Sequence, residues 1–193
     1  MSSIKVPNNK VELINLIFTQ LEVTYHNQFH KAYPDKNSLN LAKQLWLSQL
    51  QKFDEKLEVI CLEQSARTAQ DAATALGCEV GAIVKSLLFK AGDRFILSLV
   101  AGDNRCSLNK LKKILNEKDV SMASPEDVKD NTGYTIGGVS PVGHLKKCDI
   151  YVDKSLERFS DIFGAAGHPN AVFKINYNDL LKMTKGHPKD IVE

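Results

Sequence analysis

Apolar residues are arranged in two textures along the chain, one of helical period and one of short β-like runs. Between 9 and 22, Val11, Ile14, Leu16, Ile17, Phe18 and Leu21 fit one broad helical face, with Asn8 or Asn9 placed to cap it. The following VTYHNQFHKAYPDKNS is polar, aperiodic and interrupted by proline, so it predicts a connection and a domain boundary. The chain divides into an N-terminal helical extension, 1–37, and a main domain, 38–193. A second helix is predicted over 38–53, where Leu39, Ala42, Leu45, Trp46, Gln49 and Leu50 recur at i, i+3 and i+4 behind Ser38 or Asn40.

From Leu57 the pattern shortens. LEVICLE, AIVKSLLFK and RFILSLVAG are runs rich in β-branched and aromatic residues and predict strands, as do DIYVD and NAVFKI further on. Between them lie short helical stretches. TAQDAATALG, 68–77, has Thr68 or Ser65 as its cap and Gly77 as its stop. SLNKLKKILN, 107–116, buries Leu108, Leu111, Ile114 and Leu115 on one face. PEDVKDNTG, 125–133, starts behind Ser124 with acidic residues in its first turn, and NYNDLLKMT predicts a terminal helix. Strands and helices alternate irregularly, which favours an α/β domain with a mixed sheet over a doubly wound one.

Composition narrows the function classes only modestly. At 193 residues with 43% apolar content the chain can bury a substantial core, and a formal net charge of +2 permits a nucleic-acid partner without requiring one. Cys61, Cys78, Cys106 and Cys148 are widely spaced, with no CxxC pair and no histidine at zinc-ligand spacing, so reduced thiols and no metal site are expected. No run approaches the ~20 apolar residues of a membrane span, and a cytoplasmic protein without a cofactor is expected.

Three features are candidates for chemistry. The stretch GYTIGGVSPVGH, 133–144, holds Gly133, Gly137, Gly138 and Gly143 with Pro141, and reads either as a strand connection or as a shaped loop whose N–H groups line a pocket. Lys85 sits in an otherwise apolar strand, in line with Ile83 and Leu87, and either ends at solvent on an edge or enters a cleft as a fixed cation. GAAGHPN, 164–170, reads as a second glycine-rich turn that presents His168; His168 and His144 are each a surface residue or a site residue. No GxSxG elbow, GK[ST] ending or GxGxxG spacing is present.

Taken in order, SARTAQDAATALGCEVGAIVKSLLFK, LVAGDNRCSLNKLKKIL, GYTIGGVSPVGH, DIYVDKSL and FGAAGHPNAVFKI resemble the YbaK/ProX family of aminoacyl-tRNA deacylases, which also occurs as the editing domain inserted in bacterial prolyl-tRNA synthetases. The resemblance covers about 38–184. It implies a compact α/β fold on a mixed, barrel-like sheet flanked by short helices, and hydrolysis of the ester that links a wrong amino acid to the 3′-terminal adenosine of a mischarged tRNA. The family's strand lysine falls on Lys85, its GxxxP loop on Gly137 to Pro141, and its amino-acid-pocket turn on Gly167 and His168. Ser140 departs from the proline of many relatives.

An aminoacyl ester is activated, so positioning and oxyanion stabilisation are the main requirements, with Gly137 and Gly138 N–H groups as candidate donors. In the family a tRNA ribose hydroxyl assists the water. The expected catalytic set is Lys85, Gly137, Gly138 and Pro141; the expected substrate-binding set is Ser86, Val139, Ser140, His144, Gly167 and His168. A pocket of this kind selects small amino acids such as Ala, Ser, Thr or Cys by steric exclusion. A non-catalytic module that holds a tRNA end or nucleotide, or that recruits a synthetase, is the alternative, and the oligomeric state is open.

Overall fold

The structure is a computed structural model and describes residues 47–62 and 68–193. The predicted extension 1–37 and most of the helix predicted over 38–53 lie outside the described residues; the end of that helix is seen at 47–51, where Leu50 is buried. In chain order the elements are β1 (Val59–Cys61), α1 (Ala69–Leu76), β2 (Ile83–Ala91), β3 (Arg94–Ala101), α2 (Leu108–Leu115), β4 (Val120–Met122), α3 (Pro125–Thr132), β5 (Asp149–Asp153), β6 (Ile162–His168), β7 (Ala171–Ile175), α4 (Tyr177–Thr184) and β8 (His187–Lys189). Single 3₁₀ turns follow α1 and β5, at Val80–Ala82 and Lys154–Arg158.

Local chemistry starts and stops the helices where the sequence predicts. Thr68 and Asp71 close a capping box at α1, and Ser124 and Asp127 close another at α3, each satisfying two N–H groups that the first turn leaves orphaned. Gly77 and Gly133 end these helices at φ +65° and +79°, a left-handed conformation that costs glycine nothing.

The eight strands form one mixed sheet in the order β1-β7-β6-β2-β3-β5-β8, with β4 added against β2. The mixed sheet flanked by short helices is the one the family resemblance implies, and it is open, β1 and β8 forming its ends. The β3 strand is buried on both faces from Ile96 to Ala101, Ser98 included. Leu97, Leu99 and Ala101 join Val84 and Leu88 in a core closed by Val128 of α3 and Leu180 of α4, while Ile96 and Val100 pack with Phe89, Leu111 and Leu115 of α2 on the other face. Ala72 and Ala73 of α1 pack on Ile83 and Val172.

One expectation is overturned. The stretch GAAGHPN is a turn only at Pro169 and Asn170: residues 162–168 are β6, antiparallel to β7 with a bulge between Ala165 and His168. A Cβ on Gly164 would stand 2.9 Å from the Phe173 ring, so this glycine is used for close packing within the sheet.

The pairing of β2 decides where a ligand can enter. Along one side β2 is paired throughout with β3; along the other it meets β6 only at Ile83 and Val84, and β4 only from Phe89 to Ala91. Between them neither strand covers β2, apart from the Ala123 N–H that reaches the Leu88 carbonyl at 3.0 Å.

Candidate active site

A cavity of about 690 Å³ opens at this gap, within the ~300–1,000 Å³ range of small-molecule sites. Lys85, Ser86, Leu87 and Leu88 form its floor, α1 contributes Ala69 and Ala72, α3 contributes Val128, and Phe163, Ala165 and His168 of β6 form a wall. Ile136, Gly137 and Val139 bring in the glycine-rich loop. Met122 and Ile136 line the cavity while remaining 58% and 62% exposed, so they stand at its mouth. Of the residues expected from the sequence, Lys85, Ser86, Gly137, Val139 and His168 line this cavity; Gly138, Ser140, Pro141, His144 and Gly167 do not.

Lys85 enters the cleft and is not left at a solvent edge. Its Nζ donates to the Gly102 carbonyl at 3.1 Å and to the Asn104 carbonyl, both in the turn after β3. Burial draws the ammonium below the usual lysine value, and the nearby Asp103 carboxylate opposes that shift. An ammonium has three donors, so two carbonyl bonds leave one for a ligand. Gly102 must be glycine, because a Cβ there would stand 2.0 Å from the Val80 carbonyl oxygen. Neither Gly102 nor Asn104 was marked by sequence reasoning, because their approach to Lys85 depends on the β2–β3 register.

The glycine-rich loop is built around two clamps. Thr135 to Gly138 form a turn closed by the Gly138 N–H donating to the Thr135 carbonyl at 2.9 Å, with Gly137 at φ +88° in the position of a type II turn that requires positive φ. The Gly138 N–H is therefore engaged, and of the two expected oxyanion donors only the Gly137 N–H has no acceptor among the described residues. The second clamp is His144, whose Nε2 lies 2.7 Å from the Ser140 carbonyl, edge-on to Tyr134, while the Tyr134 hydroxyl donates to the Val142 carbonyl at 2.9 Å. Burial holds His144 below the ordinary histidine value, which the Ser140 bond partly offsets, so the neutral ring donates from Nε2. Ser140 and Pro141 are buried inside the loop, giving it shape.

His168 sits at the bulged end of β6, after Gly167 at φ +103°. The Asn170 N–H donates to its Nδ1 at 3.1 Å, which places the proton of the neutral ring on Nε2, and burial lowers its pKa. The two glycine-bearing segments meet here: a Cβ on Gly138 would lie 2.9 Å from the His168 Cα and 3.0 Å from its carbonyl carbon. Ser86 stands beside Lys85 with its hydroxyl buried and unpartnered among the described residues. All four cysteines are free, and burial pushes Cys106 and Cys148 up to about 11, so neither supplies a thiolate at neutral pH.

Residues 63–183 match the family model of the aminoacyl-tRNA editing domain, a span that contains every residue lining the cavity. The chain belongs to the aminoacyl-tRNA editing domain family. Within it, the chain is 34% identical over 134 residues to the uncharacterized protein YwhH of Bacillus subtilis (strain 168), covering 69% of this chain and 85% of that one. It is also 34% identical over 146 residues to the proline–tRNA ligase of Thermosipho melanesiensis, covering 70% of this chain but only 26% of the ligase. A crystal structure of a candidate trans-editing enzyme for prolyl-tRNA synthetase superposes with a TM-score of 0.71 at 37% identity, covering 77% of this chain and 97% of that one. Editing-domain relatives share the mixed α/β sheet with short helices found here. Among the described residues no helix is long and apolar enough to cross a membrane.

Proposed function

We propose that this chain is a trans-editing aminoacyl-tRNA deacylase that hydrolyses the ester of a small amino acid, of the Ala, Ser, Thr or Cys class, on a mischarged tRNA. The observation that carries the proposal is the tethered Lys85 ammonium at the floor of a mostly apolar cavity in an editing-domain fold. The match over 97% of the trans-editing candidate's own length supports this reading.

Lys85 binds a phosphate or orients the terminal adenosine with its remaining donor, a fixed cation that needs no reorganisation when the substrate arrives. The Gly137 N–H faces the carbonyl oxygen as negative charge develops there, an interaction whose removal typically costs ~3 kcal/mol in such sites. Gly138 and Pro141 hold the loop in the shape that presents this donor, and His168 borders the amino-acid side chain with Val139 and Ser86. The neighbouring ribose hydroxyl of the tRNA assists the attacking water, so the cleft requires no thiolate or serine triad.

The test is a panel of tRNAs charged with Ala, Ser, Thr, Cys and Pro, with loss of the ester followed over time. Wild type is expected to deacylate at least one member, and Lys85→Ala to lower that rate by about a hundredfold, the scale of a lost electrostatic contact. No turnover of any member, or binding of tRNA without hydrolysis, would refute the enzymatic reading; undiminished turnover by Lys85→Ala would refute the role of the lysine.

A further inference from the structure

Lys85 is held by the backbone carbonyl of Asn104, and the side chain of that same residue is held from the other direction. Asn104 Nδ2 donates to Ser155 Oγ at 2.8 Å. The Ser155 hydroxyl donates to the Asp153 carboxylate, and the Ser155 N–H donates to its other oxygen at 3.2 Å. Asp153 is only 1% exposed and forms no ion pair among the described residues. A buried carboxylate without a cation is costly unless hydrogen bonds answer its charge. Lys85 donates to the Asn104 backbone carbonyl, and the Asn104 side-chain amide donates to Ser155, which donates to the Asp153 anion. The two Asn104 groups are different, so the chain of bonds acts on the ammonium by anchoring the Asn104 residue that carries its acceptor.

We propose that Asn104, Ser155 and Asp153 are positioning residues that fix the Lys85 ammonium in the cavity; the proposal rests on the deacylase reading for its catalytic consequence but not for its physical content. The turn 102–104 is closed by the Asn104 N–H donating to the Ala101 carbonyl at 3.0 Å and held by its close approach at Val80, and the Asn104–Ser155–Asp153 bonds fix its Asn104 end; the Asp103–Arg158 ion pair is partly exposed and therefore weak. The alternative is that Asp153 and Ser155 serve only to cap the 3₁₀ turn at Lys154–Arg158. That role does not involve Lys85.

Two measurements on the full chain separate these. In ¹⁵N–¹H NMR of side-chain ammonium groups, the two carbonyl bonds should slow proton exchange enough to give a Lys85 signal, assigned by its absence in Lys85→Met. That signal should vanish in Ser155→Ala and Asn104→Ala and persist in Ser155→Thr, which keeps the hydroxyl. In deacylation, Ser155→Ala and Asn104→Ala should each lower activity about 10–100-fold, the range of outer-shell positioning groups, with Ser155→Thr largely restored. Added to Lys85→Met, Ser155→Ala should cost nothing further. A missing wild-type signal, a signal unchanged by both Ala variants, or additive losses in the Lys85→Met background would overturn the relay. Failure of wild type to hydrolyse any ester overturns the deacylase reading alone, since the NMR result stands by itself.

Discussion

Replacing Gly138 by alanine tests whether contact between the glycine-rich loop and β6 shapes the cavity. A Cβ there would meet the Cα, carbonyl carbon and nitrogen of His168 at 2.9, 3.0 and 3.1 Å. All three atoms are backbone, so no side chain can rotate away, and the nearest falls about half an ångström short of the 3.4 Å where ordinary contact begins. Overpacking of this kind costs about 1–3 kcal/mol, which for a domain of this size lowers the unfolding midpoint by about 2–4 °C per kcal/mol. Relief requires the loop to move off β6, carrying Gly137 and Val139 with it, so rate and amino-acid selectivity in the charged-tRNA panel should change as well. Gly77→Ala is the control: nothing lies within 4 Å of the added methyl, and its φ of +65° costs only local backbone strain of ~1–2 kcal/mol outside the cavity. Thermal unfolding and the panel are measured on both variants. A Gly138→Ala protein with an unchanged midpoint, or one whose panel profile matches that of Gly77→Ala, would refute the reasoning.

Three further outcomes follow from particular side chains. His144 and His168 are both held below the ordinary histidine value by burial, so the unfolded chain takes up protons first as pH falls through about 6.5; stability should be full above that pH and decline below it, less steeply in His144→Gln, as read by urea unfolding at pH 5.5 and 7.5. Tyr177 buries a hydroxyl without a hydrogen-bond partner among the described residues, so Tyr177→Phe should raise stability by up to ~1 kcal/mol; a loss in urea unfolding would contradict this. Ser124→Ala removes the α3 capping box and should cost about 1 kcal/mol in the same assay.

Sequence alone determined the local parts of this protein. The caps at Thr68 and Ser124 and the stops at Gly77 and Gly133 are written within four residues of where they act, because a helix end is satisfied by its own neighbours. The β-branched and apolar residues of RFILSLVAG announce the β3 strand in the same way. Ordered motifs also carried the family, since their sequence order survives without knowledge of their contacts.

Tertiary structure decided what those parts do. The residues 164–168 look like turn material, yet pairing with β7 and the closeness of Phe173 make them strand, a choice settled by cross-strand partners and not by the residues' own turn propensity. Gly137 and Gly138 are equivalent in the sequence, but turn closure engages one N–H and leaves the other. Lys85 was equally consistent with an exposed edge and a cleft. What resolved it is that β6 leaves β2 after Val84 and β4 joins only at Phe89, while the β3 turn brings two carbonyls to the ammonium. A gap in a sheet belongs to three strands at once, and no single stretch of chain encodes it.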